Sequence, residues 1–173
     1  MTFVQCEFQR HAQTILAIFN DAIANSTVLY EYKPRTMDMM ARWFEAKQRG
    51  AYPVIGAENE AGEFMGFASY GTFRAFPCYK YTVEHSVYVD ARFRGRGLGK
   101  ILLKEIIAAA QGQNYHNLVG VIDSSNAVSI HLHEALGFVC CGAIQEAGFK
   151  FGHWLDVRFY QLILPTPSHP ADG

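Results

Sequence analysis

The sequence predicts an α/β fold, a single mixed sheet with helices packed on it. Three observations lead there. Half of the 173 residues are hydrophobic, enough for one core in a chain of this length. Apolar residues recur at helical spacing in some segments and alternate in others. Helical and strand patterns are also interleaved rather than grouped into separate halves.

The elements follow in order. A first strand is expected at Phe3–Phe8. From His11 to Ala24, Ile15, Leu16, Phe19 and Ile23 fall at helical spacing. A second helix is expected from about Thr36 to Arg49, carrying Met39, Met40, Trp43 and Phe44, with Gly50 as its stop. Tyr52–Ala57 and Phe64–Phe73 read as strands around the turn residues Glu60–Glu63. Tyr81–Val89 alternates, with Tyr81, Val83, His85, Val87 and Val89 on one face and Thr82, Glu84, Ser86 and Tyr88 on the other. A helix from about Gly97 to Gln111 turns Leu102, Leu103, Ile106, Ile107 and Ala110 inward. Leu118–Ile122 is a short apolar strand. A short helix at Ala127–Leu136 presents Val128, Leu132 and Leu136 on one face, with Gly137 at its C-terminal cap. Strands at Phe138–Ala147 and Leu155–Leu164 close the chain, around a turn holding Gly148 and Gly152. Residues 1–164 therefore read as one domain, and the proline-rich residues 165–173 as a flexible tail.

Composition removes several function classes. Fifteen Lys and Arg stand against sixteen Asp and Glu, a net charge of −1, so the basic footprint of a general nucleic-acid binder is missing. No apolar run reaches the roughly 18 residues of a membrane span, and the N-terminus does not read as a signal peptide. Cys6, Cys78, Cys140 and Cys141 are spaced neither as a disulfide framework nor as a zinc site. A reduced, cytoplasmic protein without metal is the expectation.

The stretch richest in chemistry is Val87-Tyr88-Val89-Asp90-Ala91-Arg92-Phe93-Arg94-Gly95-Arg96-Gly97-Leu98-Gly99-Lys100. A strand ends, glycines make a tight turn, and a helix begins. Glycine lets the backbone approach a ligand, and the free amides and dipole of a helix start attract an anion. Arg92, Arg94, Arg96 and Lys100 add full charges beside it, a combination that suits a pyrophosphate. The P-loop register fails, because Gly99-Lys100 is followed by Ile101. The dinucleotide register fails from both Gly95 and Gly97. A glycine turn with solvated arginines and no ligand is the bland alternative.

Arg94-Gly95-Arg96-Gly97-Leu98-Gly99 resembles the Arg/Gln-x-x-Gly-x-Gly/Ala signature of the GCN5-related N-acetyltransferases. Asn126-Ala127-Val128-Ser129-Ile130-His131-Leu132-His133-Glu134-Ala135-Leu136-Gly137-Phe138 resembles their second signature. Tyr79–Val89, Gly148–Val157 and Ser26-Thr27-Val28 are similar to the phosphinothricin and methionine sulfone acetyltransferase branch. The resemblance implies a mixed sheet splayed between two central parallel strands, Tyr81–Val89 and Leu118–Ile122, with helices on both faces. It implies acetyl transfer from acetyl-CoA to the amine of a small amino acid such as phosphinothricin, methionine sulfoximine or methionine sulfone. Acetyl-CoA would be held by Arg94, Gly95, Arg96, Gly97, Leu98, Gly99 and Lys100, by the backbone of Val87, Tyr88 and Val89, and by Asn126. Asn126 reads equally as a plain helix cap.

Glu84 is the candidate base, a carboxylate inside an apolar and aromatic strand; the alternative is a solvated or paired glutamate. His133 stands where many family members carry a tyrosine that protonates the leaving thiolate; an imidazole can donate that proton near neutral pH, or share in deprotonating the amine. Its alternative is a packing role. His131 and His133 lie two apart, about 200° around a helix, so they cannot converge on a metal. Arg74 suits a substrate carboxylate, and Tyr32, Phe73, Tyr79 and His85 are expected to shape the pocket. Phe149, Phe151 and Trp154 are either core or an apolar edge covered in a homodimer. Rival readings are the same fold acetylating a protein N-terminus or another amine, a non-catalytic acetyl-CoA sensor, and a nucleotide-binding domain.

Overall fold

A computed structural model describes residues 1–172. The elements are β1 (Thr2–Gln5), α1 (Phe8–Asn25), α2 (Met37–Arg49), β2 (Val54–Glu58), β3 (Phe64–Thr72), β4 (Thr82–Val89), α3 (Leu98–Gly112), β5 (Asn117–Asp123), α4 (Ala127–Glu134), β6 (Val139–Lys150) and β7 (His153–Ile163). Single 3-10 turns cover Pro77–Tyr79 and Ala91–Phe93. The strands form one mixed sheet in the order β1-β2-β3-β4-β5-β7-β6. None of the described helices is long and apolar enough to cross a membrane. Two compact units divide the chain. One comprises Met1–Tyr70 and Ser86–Ile106; the other comprises Gly71–His85 and the chain from Ile107 onward.

In the first unit, β1, β2 and β3 pair antiparallel in succession. α1 buries Ile15, Phe19 and Ile23, as its periodicity predicts. Phe19 meets Trp43 of α2 at 5.6 Å and Phe67 of β3 at 5.2 Å, both edge to face. Tyr88 of β4 stacks on Phe67 at 5.3 Å. An aromatic side chain buried this way contributes roughly 1.5–3 kcal/mol, so this cluster fixes the end of β4. Helices cover both faces here. Phe67 packs towards α1 and α2, while a Cβ on the preceding Gly66 would come within 3.4 Å of Leu102 on α3. Thr36 caps α2 by accepting the Met39 amide at 3.3 Å, and Gly50 ends it.

The expected first strand stops short of Phe8. The Glu7 backbone carbonyl accepts the His11 amide at 2.9 Å as the first bond of α1, and the Glu7 amide donates to His11 Nδ1 at 2.9 Å, so Phe8 opens the helix and its ring packs on Phe44.

In the second unit, β4 and β5 run parallel, pairing Thr82 with Asn117, Val83 with Leu118 and Glu84 with Val119. β5 pairs antiparallel with β7 from Asn117↔Ile163 to Asp123↔Val157. β6 and β7 form a long hairpin whose register shifts between Ile144 and Gly148. Two sequence expectations are corrected here. The hairpin turns at Phe151 and Gly152, both left-handed, and Gly148 lies within β6. The face of α4 is also different: Val128 is 82% exposed, and His133 is the helix's buried residue. In the C-terminal segment, Thr166 donates to the Tyr115 carbonyl at 2.5 Å, and the Ala171 amide donates to the Tyr81 hydroxyl at 3.1 Å.

Candidate active site

The glycine-arginine turn belongs to the first unit. Gly95 and Gly97 sit at φ 75° and 76°, the left-handed region that side chains disfavour. A Cβ on either would meet nothing within 4 Å, so open space lies above the turn. The Lys100 and Ile101 amides donate to the Gly97 carbonyl. The helical ladder of α3 therefore starts at Gly97, and the amides just before Lys100 have no acceptor inside the helix. Buried Phe93 and Leu98 anchor the two sides of the loop.

The four cations of this stretch divide into two pairs. Arg92 binds Asp90 at 2.9 Å and lies 3.8 Å from Glu63. Its hydrogen bond holds the Asp90 carboxyl below the usual carboxylate range. Arg94 binds Asp21 at 2.8 Å and donates to the Val89 carbonyl at 3.1 Å. Arg92 and Arg94 thus brace the loop. Arg96 and Lys100 are exposed, and among the described residues neither has a carboxylate within ion-pair distance. Arg96 lies over the Phe93 ring at 5.6 Å, and both charges are left uncompensated beside the turn.

The titratable candidates lie in the second unit. Glu84 is exposed on β4 between buried Val83 and His85. Asn126 accepts the Ser129 amide at 3.0 Å and caps α4. His133 Nδ1 lies 2.6 Å from the Ser129 carbonyl. A carbonyl only accepts, so Nδ1 carries the proton and Nε2 carries the lone pair. Phe73, Arg74 and Tyr79 gather on the β3–β4 connection. The Arg74 guanidinium lies 5.5 Å over the Phe73 ring, which meets Tyr79 at 5.6 Å. Tyr32 is exposed on the α1–α2 connection of the first unit. His85 does not face an open pocket: it is buried and stacks on His133 at 5.1 Å. No group of three potential metal ligands occurs among the described residues.

The sequence reading treated His85 and His133 separately and missed Gly120 altogether. A Cβ on Gly120 would lie 3.0 Å from His85 Nε2 and 3.2 Å from His133 Nε2. The available signals were a glycine interrupting the apolar run Leu118–Ile122 and the shared parity of His85 with Val83.

Burial pushes the pKa of His85 down to about 3, with His133 adding to the effect, and burial lowers His133 as well. Between that value and the ordinary imidazole value near 6.5 the unfolded chain binds more protons than the folded one. This contribution to stability is therefore complete above about pH 6.5 and is lost as the pH falls towards 3. His85→Leu should flatten the decline of the urea midpoint over that window. An equal decline in both proteins would refute the assignment.

The sequence pattern of the acetyltransferase (GNAT) family matches residues 16–138, well over half of the chain. The chain belongs to the GNAT family. This GNAT chain is 47% identical over 157 residues to the L-methionine sulfoximine/L-methionine sulfone acetyltransferase of Pseudomonas paraeruginosa, covering 90% of this chain and 91% of that one. It is 37% identical to the phosphinothricin N-acetyltransferase of Streptomyces viridochromogenes, covering 89% and 84%. Among solved structures, the phosphinothricin acetyltransferase of Sinorhizobium meliloti in complex with acetyl-CoA superposes with a TM-score of 0.93 at 31% identity, covering 98% of this chain and 91% of that one. The GNAT protein is an acetyl-transferring enzyme.

Proposed function

We propose that the enzyme transfers acetyl from acetyl-CoA to the amino group of a small amino acid of the methionine sulfone, methionine sulfoximine or phosphinothricin type, and that residues 1–164 form its catalytic domain. The carrying observation is the open left-handed turn at Gly95 and Gly97, leading into a helix start beside unpaired Arg96 and Lys100. A pyrophosphate fits that donor set. The names of relatives that match nine-tenths of the chain support the substrate class.

Acetyl-CoA supplies an acetyl group activated as a thioester. Gly95, Gly97 and the α3 amides hold its pyrophosphate, with Arg96 and Lys100 balancing the charge. The β4 backbone from Val87 to Val89 holds the cofactor arm and offers an amide to the carbonyl that becomes an oxyanion. Asn126 can serve the arm while capping α4. Glu84 takes a proton from the substrate ammonium, directly or through water, and so frees the lone pair for attack. For His133, Nδ1 donates to Ser129 and the lone pair is on Nε2, which must be uncovered from Gly120 and His85 before it can accept a proton.

Arg74 grips the substrate carboxylate, with Phe73 and Tyr79 beside it. Arg74→Ala should raise KM for the amino acid tenfold or more, since a charge-assisted bond contributes about 1.5–3 kcal/mol, and leave KM for acetyl-CoA nearly unchanged. Equal wild-type activity on methionine sulfone and on its decarboxylated amine would reject carboxylate recognition.

A homodimer is the proposed assembly, and a soluble cytoplasmic setting goes with it. The β6–β7 hairpin turns Val139, Ile144, Phe151 and Trp154 to solvent, and β6 is the outermost strand. An apolar face at a sheet edge can be covered by the same face of a second copy about a two-fold axis. Light scattering should give twice the chain mass for the wild type and a lower mass for Trp154→Glu. A wild-type monomer at micromolar concentration would reject the dimer.

A further inference from the structure

The face of His133 that does not bond Ser129 is enclosed by three elements of the second unit. His85 of β4 stacks on the His133 ring at 5.1 Å, with planes 21° apart. Phe138 meets both imidazoles edge to face, His85 at 5.3 Å and His133 at 5.0 Å. Gly120 of β5 faces both Nε2 atoms so closely that a Cβ there, 3.0 Å and 3.2 Å from them, would press both rings aside by a few tenths of an ångström. The two rings are only 6% and 4% exposed. Among the described residues, neither nitrogen of His85, nor Nε2 of His133, has a hydrogen-bond partner. The remaining titratable neighbours are Tyr160 of β7, 6.3 Å from His133, and Glu134, which accepts the Tyr160 hydroxyl.

Burying three ring nitrogens without partners is unfavourable. An apolar side chain at position 85 would fill the same space without that cost, so stability alone gives no reason for a histidine. The flat shape of the side chain does give one. A ring lying against the His133 face blocks rotation about its χ2, which would exchange Nδ1 for Cδ2 and break the Ser129 bond. We infer that His85 is a positioning residue: stacked on His133 and admitted by Gly120, it locks that imidazole as the tautomer with its proton on Nδ1 and its lone pair on Nε2. This deepens the proposed proton handling by His133 and rests on that reading. His85 touches no reacting atom, and its contribution reaches the reaction only through His133.

The test compares His85→Leu, which keeps apolar volume without a flat face, with His85→Phe, which restores a ring. Removing unpartnered nitrogens favours folding, so both variants are suited to measurement. Nitrogen-15 NMR of the His133 ring, without substrate and at neutral pH, should show one tautomer in the wild type and a mixture in His85→Leu. The Leu variant should lose on the order of ten- to a hundredfold in kcat, the scale of a misplaced catalytic group, with KM for acetyl-CoA unchanged. His85→Phe should recover the single tautomer and most of kcat. A single tautomer and wild-type kcat in His85→Leu would overturn the inference while leaving acetyl transfer intact. Failure of His85→Phe to restore either readout would also overturn it, because the nitrogens of His85 would then matter rather than its flat face. If no amine in a substrate panel were acetylated, the proposed function would fall, and the tautomer measurement would still decide the role of His85.

Discussion

Glu84→Gln should lower kcat by about 10²- to 10⁴-fold, the range expected for loss of a general base. The variant keeps the shape of the side chain and removes only its ability to accept a full proton. Glu84 is exposed while its neighbours Val83 and His85 are buried, so the substitution leaves the strand's inward packing in place. The loss is most severe at low pH, where the substrate amine is protonated and depends on the base. Raising the pH restores part of the rate, because free amine then arrives unaided. His133→Phe, by contrast, removes both ring nitrogens and the bond to Ser129. If the His133 variant is rescued by high pH and Glu84→Gln is unaffected, the histidine is the base. Full activity in both variants would leave catalysis to positioning and backbone donors alone.

Gly97→Val should weaken acetyl-CoA binding tenfold or more in calorimetry, while the protein stays folded. Two effects must be separated. A branched residue at φ 76° carries backbone strain of roughly 1–2 kcal/mol, whatever surrounds it. The side chain would also enter the open space above the turn, where the pyrophosphate is proposed to lie. Gly62 supplies the control. It has φ 77° and equally open surroundings, in the β2–β3 turn beside Glu63 rather than within the anion loop itself. Gly62→Val should cost similar stability and leave acetyl-CoA affinity unchanged. Equal affinities in the two variants would mean that the loop does not hold the cofactor.

What the sequence disclosed depended on how locally each feature is encoded. α2 was legible from end to end because its cap, Thr36, and its stop, Gly50, adjoin it. The anion turn was legible because its glycines and the start of α3 are consecutive. The helix α4 was located, but its face was misread. Eight residues make barely two turns, and apolar Val128 and Leu132 then define no stripe that outweighs the tertiary packing of His133. The hairpin glycines looked alike in sequence. The structure distinguishes them through Asp156, whose carboxylate accepts the Glu146 amide at 2.8 Å beside the register shift and so keeps Gly148 within the strand.

The remaining features were beyond local reasoning because they join distant residues. Arg94 looked like a free cation until Asp21 of α1 met it. His85 read as a pocket wall, and only the meeting of β4, β5 and α4 shows it stacked behind His133. Spacing and periodicity carry no information about such meetings, whereas a motif within one loop carries its own.

The most direct measurement of the central claim is release of free thiol from acetyl-CoA across a panel of amines, compared by kcat/KM. The panel sets methionine sulfone, methionine sulfoximine and phosphinothricin beside their decarboxylated amines, ordinary amino acids and peptides with free N-termini. The account predicts that the three sulfur or phosphorus amino acids lead by at least tenfold over their decarboxylated counterparts and over the peptides, and that Arg74→Ala abolishes the lead over the decarboxylated amines. Preferred acetylation of the peptides, or binding of acetyl-CoA without turnover on any amine, would contradict it.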